Sequence, residues 1–235
     1  MKGLFAEFDE RSKSEAVKKL IAESTPDKDF FFMVILSVLM ATFGLLLQNV
    51  PVIIGSMLIA PILSPTLSLA LGVVIADGHL ISRSFFTIVK SLAFAVFLST
   101  VIALFFLPFV DTEAFSRTYQ QWDAFFVYFS VAAIAGLAAS FSSVAPHINA
   151  ILPGSAIAVT LIPPMAAMGV GMATFDWDII SGSFLVFVIN VLGIVFAAMV
   201  MFSLMNLYSK KHVVKRAVKK EDDMNHAPAE VPEVG

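Results

Sequence analysis

Between Lys28 and Lys210 the chain carries only three basic residues, Arg83, Lys90 and Arg117, set among long apolar runs. A hydrocarbon core takes roughly 20 apolar residues to cross. Six runs of that order can be delimited, at approximately 30–48, 51–76, 85–108, 124–145, 150–173 and 183–207. A soluble domain is about half apolar and a quarter charged. This chain is 58% apolar and 14% charged. The expected fold class is an all-α polytopic membrane protein with six transmembrane helices.

The remaining basic residues sit at the two ends: of 15 Lys and Arg, six precede residue 29 and six follow residue 209. An even number of spans puts both ends on one side, and the positive-inside rule makes that side cytoplasmic. Trp122 and Trp177 then fall in external loops near span ends, as an aromatic belt requires. The expected location is the cell (inner) membrane, with the lipid bilayer as the surrounding partner. Residues 1–29 form a cytoplasmic segment without the apolar core of a signal peptide. Within it, "ERSKSEAVKKLIAE" reads as a short amphipathic helix with Val17, Leu20 and Ile21 on one face. Thr25-Pro26-Asp27 reads as the start of the first span. Residues 30–108 and 124–207 hold three spans each, joined by an external loop at 109–123. Residues 208–235 are basic and then polar, the composition of a disordered tail. The net charge of −3 resides on the flanks, and nothing in the pattern points to nucleic acid. With no cysteine there is no disulfide and no thiolate metal site.

The second run contains "GSMLIAPILSP", with Pro61 and Pro65 in the middle of a stretch long enough to span. Shifting the sequence by 99 residues lays the second run on the fifth without a gap. Gly55 and Ser56 meet Gly154 and Ser155, Pro65 meets Pro164, Gly72 meets Gly171, and Asp77 meets Asp176. The register continues through Ser84 on Ser183 to Phe97 on Phe196, with 12 identities in the 43 positions from 55 to 97. Shared membrane composition does not favour matches of Gly, Pro and Asp. Three spans per half would make the halves inverted repeats. Such repeats characterise secondary transporters, with the site near the midplane where Gly/Pro-interrupted spans meet.

The expected site follows from the breaks. Residues 51–60 and 65–76 form half-helices of about 15 and 18 Å at 1.5 Å per residue. Ser64 reads as an N-cap with Pro65 at the first helical position. Pro163 and Pro164 are expected to break the fifth span at the same depth, so that N–H groups point inward from both halves. Kinks re-satisfied by Ser64, Thr66 and Thr160 are the bland alternative. The candidate solute-binding residues are Gly55, Ser56, Pro61, Ser64, Pro65, Thr66, Gly154, Ser155, Thr160, Pro163, Pro164, Lys90 and Asn190.

"IIGSMLIAPILSP" and "LPGSAIAVTLIPPMAAMG" resemble the two signature stretches of an uncharacterised family of prokaryotic hydrophobic membrane proteins, known as domain of unknown function 389. Gly55-Ser56-Met57-Leu58-Ile59-Ala60-Pro61 with Pro65 matches its first stretch with Ser56 in place of Ala. Leu152-Pro153-Gly154 through Pro163-Pro164 matches the second. The resemblance covers about residues 30–207 and implies an integral membrane protein, with no assigned activity.

No nucleophile, metal set or acid/base pair lies at depth, so no enzyme and no cofactor is expected. His79, His147, His212 and His226 are scattered, and Asp77 and Asp176 sit at span ends. Lys90 is the one charge inside a span, either snorkelling to the interface or serving as countercharge for an anion. Asn190, nearly its mirror, is explained equally by a helix–helix hydrogen bond or by ligand contact. Gln48 and His147 superpose just before the two breaks, a placement that is more structural than gating. Ala132, Gly136 and Ser140 form a small-residue face on the fourth span, able to pack within the protomer or across a homo-oligomer. The expected function is a transporter or channel for a small solute, an anion if two half-helix N-termini converge; the alternative is a non-transporting scaffold or sensor.

Overall fold

The computed structural model describes residues 10–25, 27–107, 125–144, 151–210, 213–214 and 216–219. All the described elements are helical. An amphipathic helix α1 (Glu10–Glu23) precedes α2 (Lys28–Leu46), α3 (Val50–Ile59), α4 (Leu63–Ile75) and α5 (Gly78–Phe106). Then come α6 (Phe125–Val144), α7 (Ile151–Thr174) and α8 (Trp177–Leu204), followed by a 3-10 turn at Leu207–Lys210. Helices α2, α5, α6 and α8 are each long and apolar enough to cross a membrane, and α3 with α4 makes a fifth, bent span. The protein is thus a helical membrane protein of several spans. Helix α7, of 24 residues, occupies the run expected at 150–173.

Three of the corners between helices are built alike. Gln48, Ala76 and Phe175 adopt left-handed backbone, with φ of 50°, 52° and 55°. The next residue, Asn49, Asp77 or Asp176, donates its N–H to the carbonyl of Gly44, Gly72 or Gly171 at 2.8, 3.0 and 3.0 Å. This is the six-to-one bond that closes a helix C-terminus. The same Asn or Asp then caps the following helix, accepting from Val52, Leu80 or Ile179 N–H at 3.2, 3.1 and 3.2 Å. Glycine is required because the returning isoleucine packs on it: a Cβ at Gly44, Gly72 or Gly171 would lie 2.8, 3.0 or 2.9 Å from Ile53, Ile81 or Ile179. The second and third corners are 99 residues apart, so the sequence register recurs in backbone geometry. These caps also explain why α5 and α8 begin at 78 and 177, ahead of the apolar runs at 85 and 183. Their first two turns interleave polar residues with apolar ones and are helical. Asp27 caps α2 in the same manner, accepting from Phe30 N–H at 2.7 Å.

Helix α7 lies at the centre. Residues 161–170 are all buried, surrounded by α2, α3, α5, α6 and α8, while α4 packs on α5 and α8. A Cβ on Gly169 would lie 2.4 Å from that of Ser99 on α5, so the two helices meet almost backbone to backbone. The small-residue face of α6 is used inside the chain. A Cβ on Gly136 would be 2.7 Å from the Ile194 carbonyl oxygen of α8, and one on Gly193 would be 2.8 Å from Ala132 Cβ. Ala132 and Ser140 are fully buried. A homo-oligomer through that face would have to displace α8. Helix α1 is seated as its pattern indicates. Val17, Leu20 and Ile21 are buried, Ser68 Oγ donates to the Leu20 carbonyl at 3.2 Å, and Arg83 donates to Thr25 Oγ1. The void between α1 and Leu71, Val144, Phe202 and Leu207 is about 10 Å³, barely room for one water.

Gly136→Val should therefore lower stability by about 1–3 kcal/mol through overpacking against backbone that cannot yield. Gly78→Ala, with nothing within 4 Å of the added Cβ, should be nearly neutral. Thermal unfolding in detergent compares the two; equal effects would contradict the close α6–α8 contact.

Candidate functional site

The second span does break, at a place that follows from Pro61. A residue before proline is driven out of the α region, and Ala60 has φ −73° and ψ 124°. Pro61 has no N–H, so the Met57 carbonyl lacks its helical donor. Helices α3 and α4 consequently meet at 55°. The cap expected at Ser64 is not formed. Helix α4 starts at Leu63, its N-cap is Ile62, and that cap makes no side-chain hydrogen bond. Pro65 is then the third helical residue, where an N–H has no intrahelical partner anyway. Pro65 fits the helix without disturbing it.

The polar groups around this break are turned onto nearby backbone. Thr66 Oγ1 donates to the Ile62 carbonyl at 2.9 Å, and Ser56 Oγ donates to Ile53 at 2.6 Å. Ser37 of α2 donates to the Ser56 carbonyl at 2.6 Å, satisfying one of the last carbonyls of α3. Ser56, Pro65 and Thr66 are buried, while Gly55, Pro61 and Ser64 are half-buried.

The fifth span is not broken. Helix α7 runs continuously through Pro163 and Pro164, which corrects the expectation of a matching break. At the 99-residue shift the counterpart of Pro61 is Thr160, whose N–H remains, and the counterpart of Pro65 is the harmless proline. Two interior prolines cost about 3 kcal/mol each. Complete burial of residues 161–170 holds the helix in spite of this. The side chains of Gly154, Ser155 and Thr160 lie outside the described residues, although their backbone is helical. His147 and Trp122 lie outside them as well.

Lys90 is also corrected. It is exposed, on the same outward stripe of α5 as Phe86, Val89, Ala93 and Phe97. A countercharge must face inward, so snorkelling is the reading that fits. With one half-helix N-terminus in place of two, and Lys90 outside, the basis for an anionic solute is gone.

What sequence reasoning missed is a set of buried hydroxyls. Ser99 of α5 donates to the Ala166 carbonyl of α7 at 2.7 Å and accepts from Thr42 of α2 at 2.9 Å, a polar chain across three helices. By contrast, the Oγ atoms of Ser84, Ser91 and Ser183 are buried with no hydrogen-bond partner. Each such group costs about 1–3 kcal/mol. Ser84 and Ser183 are repeat-related, and the repeat partner of Ser91 is Asn190, itself 3% exposed. Ser84 and Ser91 are seven residues apart on one face of α5, as are Ser183 and Asn190 on α8. The signal was present in the 99-residue register, but serine in an apolar helix is easily read as a mere small residue.

Comparison with known sequences bears on the same segment. The family described as domain of unknown function (DUF389) matches residues 57–196, more than half of the chain. The chain belongs to this family. An uncharacterized protein of Methanocaldococcus jannaschii (MJ0678) is 31% identical over 208 residues, covering 83% of this chain and 63% of its own length. The chain thus spans less than two thirds of that relative. No solved structure matches. The DUF389 segment opens within the broken span and closes within α8, so it contains two of the three glycine-closed corners and Ser84, Ser91 and Ser183.

If Pro61 alone causes the bend, Pro61→Ala should straighten α3 and α4, and Pro65→Ala should not. The chain has no cysteine, so spin labels at Ile54 and Val73, both exposed, report the distance directly. Pro61→Ala should lengthen it; a shift with Pro65→Ala instead would reassign the break.

Proposed function

We propose that this DUF389 protein conducts a small solute across the cell membrane, as a six-span carrier or channel made of two inverted three-span halves. Both flanks lie in the cytoplasm in this reading, because the basic residues gather there. The solute passes at mid-depth, beside the α3–α4 break and α7. Support comes from the broken second span, whose α4 half is largely buried, together with the matching corners at Gly72–Ile81 and Gly171–Ile180. Irregular backbone at membrane depth is tolerated where protein or a cavity shields it, and gapped spans within repeated halves mark transporter sites.

A non-transporting scaffold is the second reading. The engagement of Ser37, Ser56 and Thr66 with backbone near the break favours it, since those groups are already satisfied.

Purified protein in lipid vesicles separates the two. Transport predicts flux of at least one small solute that scales with protein content and exceeds that of empty vesicles. A panel of neutral, anionic and cationic solutes, none moving faster than in empty vesicles, would leave the scaffold.

A further inference from the structure

We propose that Ser84, Ser91 and Ser183 form a hydroxyl lane for a small neutral solute carrying hydroxyl or amide groups. The inference rests on the transport reading above and names its substrate class. The three side chains are 1%, 1% and 0% exposed, and their Oγ atoms have no protein partner. Buried hydroxyls are as a rule hydrogen-bonded; in this reading water or solute supplies the partner.

Helices α5 and α8 both pack on α4 and α7. Ser84 and Ser91 share the buried face of α5, between Ile81, which closes on Gly72 of α4, and Ser99, which donates to α7. The face is therefore enclosed by α4 at one end and by α7 at the other. Ten residues separate Ile81 from Ser91 and Gly72 from Ile62, about 15 Å along each helix of the hairpin. Ser91 is thereby level with the α3–α4 break. The same count along α8 and α7 sets position 190 level with Leu161, with Ser183 between it and the corner.

Charge decides the class of ligand. Among the described residues of α5 and α8, Lys90 and Asp178 are exposed, His79 and Arg83 belong to the first turns of α5, and nothing ionisable accompanies the three serines. A dehydrated ion would meet no countercharge, and burying an unpaired ion is strongly unfavourable. A hydroxyl both donates and accepts, which suits alcohol and amide groups.

The natural absence of cysteine permits a test on the full chain in vesicles. Ser84→Cys, Ser91→Cys or Ser183→Cys should react with a small water-soluble thiol reagent, whereas Ala95→Cys, one turn from the Ser99–Ala166 contact on the same face, should not. Glycerol and urea serve as transport probes, followed by light scattering, with chloride and potassium as ionic probes. The Ser84→Ala/Ser183→Ala pair should slow glycerol or urea roughly fivefold to tenfold, the scale of a lost hydrogen bond. The repeat-related Ser82→Ala/Ser181→Ala pair, outside the lane, should not. Cysteines as inert as Ala95→Cys would overturn the lane whatever the flux. Reactive cysteines with ion flux alone would overturn the neutral class and leave transport standing. Flux of no probe or other small solute would remove the transport reading, and this inference with it.

Discussion

Within an apolar slab, a peptide N–H or C=O without a partner has no water to turn to, and this chain is organised around that constraint. Its long helices satisfy their own backbone. At three corners a left-handed residue and an Asn or Asp close one helix and open the next within two residues, leaving few groups exposed. Glycine at each corner lets the returning isoleucine approach closely, so the hairpin needs no long connection. The exception is the stretch from Ala60 to Ile62, where hydroxyls from Ser37 and Thr66 add hydrogen bonds to the Ser56 and Ile62 carbonyls on either side of the break.

Much of this architecture was legible in the residues. The apolar runs located the helices, although α5 and α8 start at 78 and 177, ahead of the runs at 85 and 183, and Thr25-Pro26-Asp27 marked the start of the first span. The matching Gly and Asp of the repeat became matching corners. Legibility ended where tertiary surroundings decide. Pro61 and Pro65 look equivalent on paper, yet one follows an extended residue and the other falls where a helix expects no N–H bond. Pro163 and Pro164 look like stronger breakers than either. Burial on every side keeps α7 intact around them, and no local pattern encodes that.

The candidate site shows the same division. The break near Pro61 was foreseen, and Asn190 is buried, which suits a helix–helix hydrogen bond as well as a ligand contact. Lys90 drew attention because it is charged, although helical phase with Phe86, Val89, Ala93 and Phe97 places it outside. Ser84, Ser91 and Ser183 drew none, because a serine in a membrane helix usually bonds back to the carbonyl three or four residues before it. Only the absence of that bond distinguishes them.

The glycine-closed corners also bear on how such a molecule could move. Each corner ties two helices by a backbone bond, a side-chain cap and a packed isoleucine, so α4 with α5 and α7 with α8 behave as two stiff hairpins. Flexing inside either would break all three ties at once. Rearrangement is easier between them, where α5 and α7 meet at Ser99 and Gly169 with scarcely a side chain interposed. There the Ser99–Ala166 hydrogen bond has to give way. The hairpins would therefore shear past one another along the α5–α7 seam, with the unwound residues 60–62 taking up the slack.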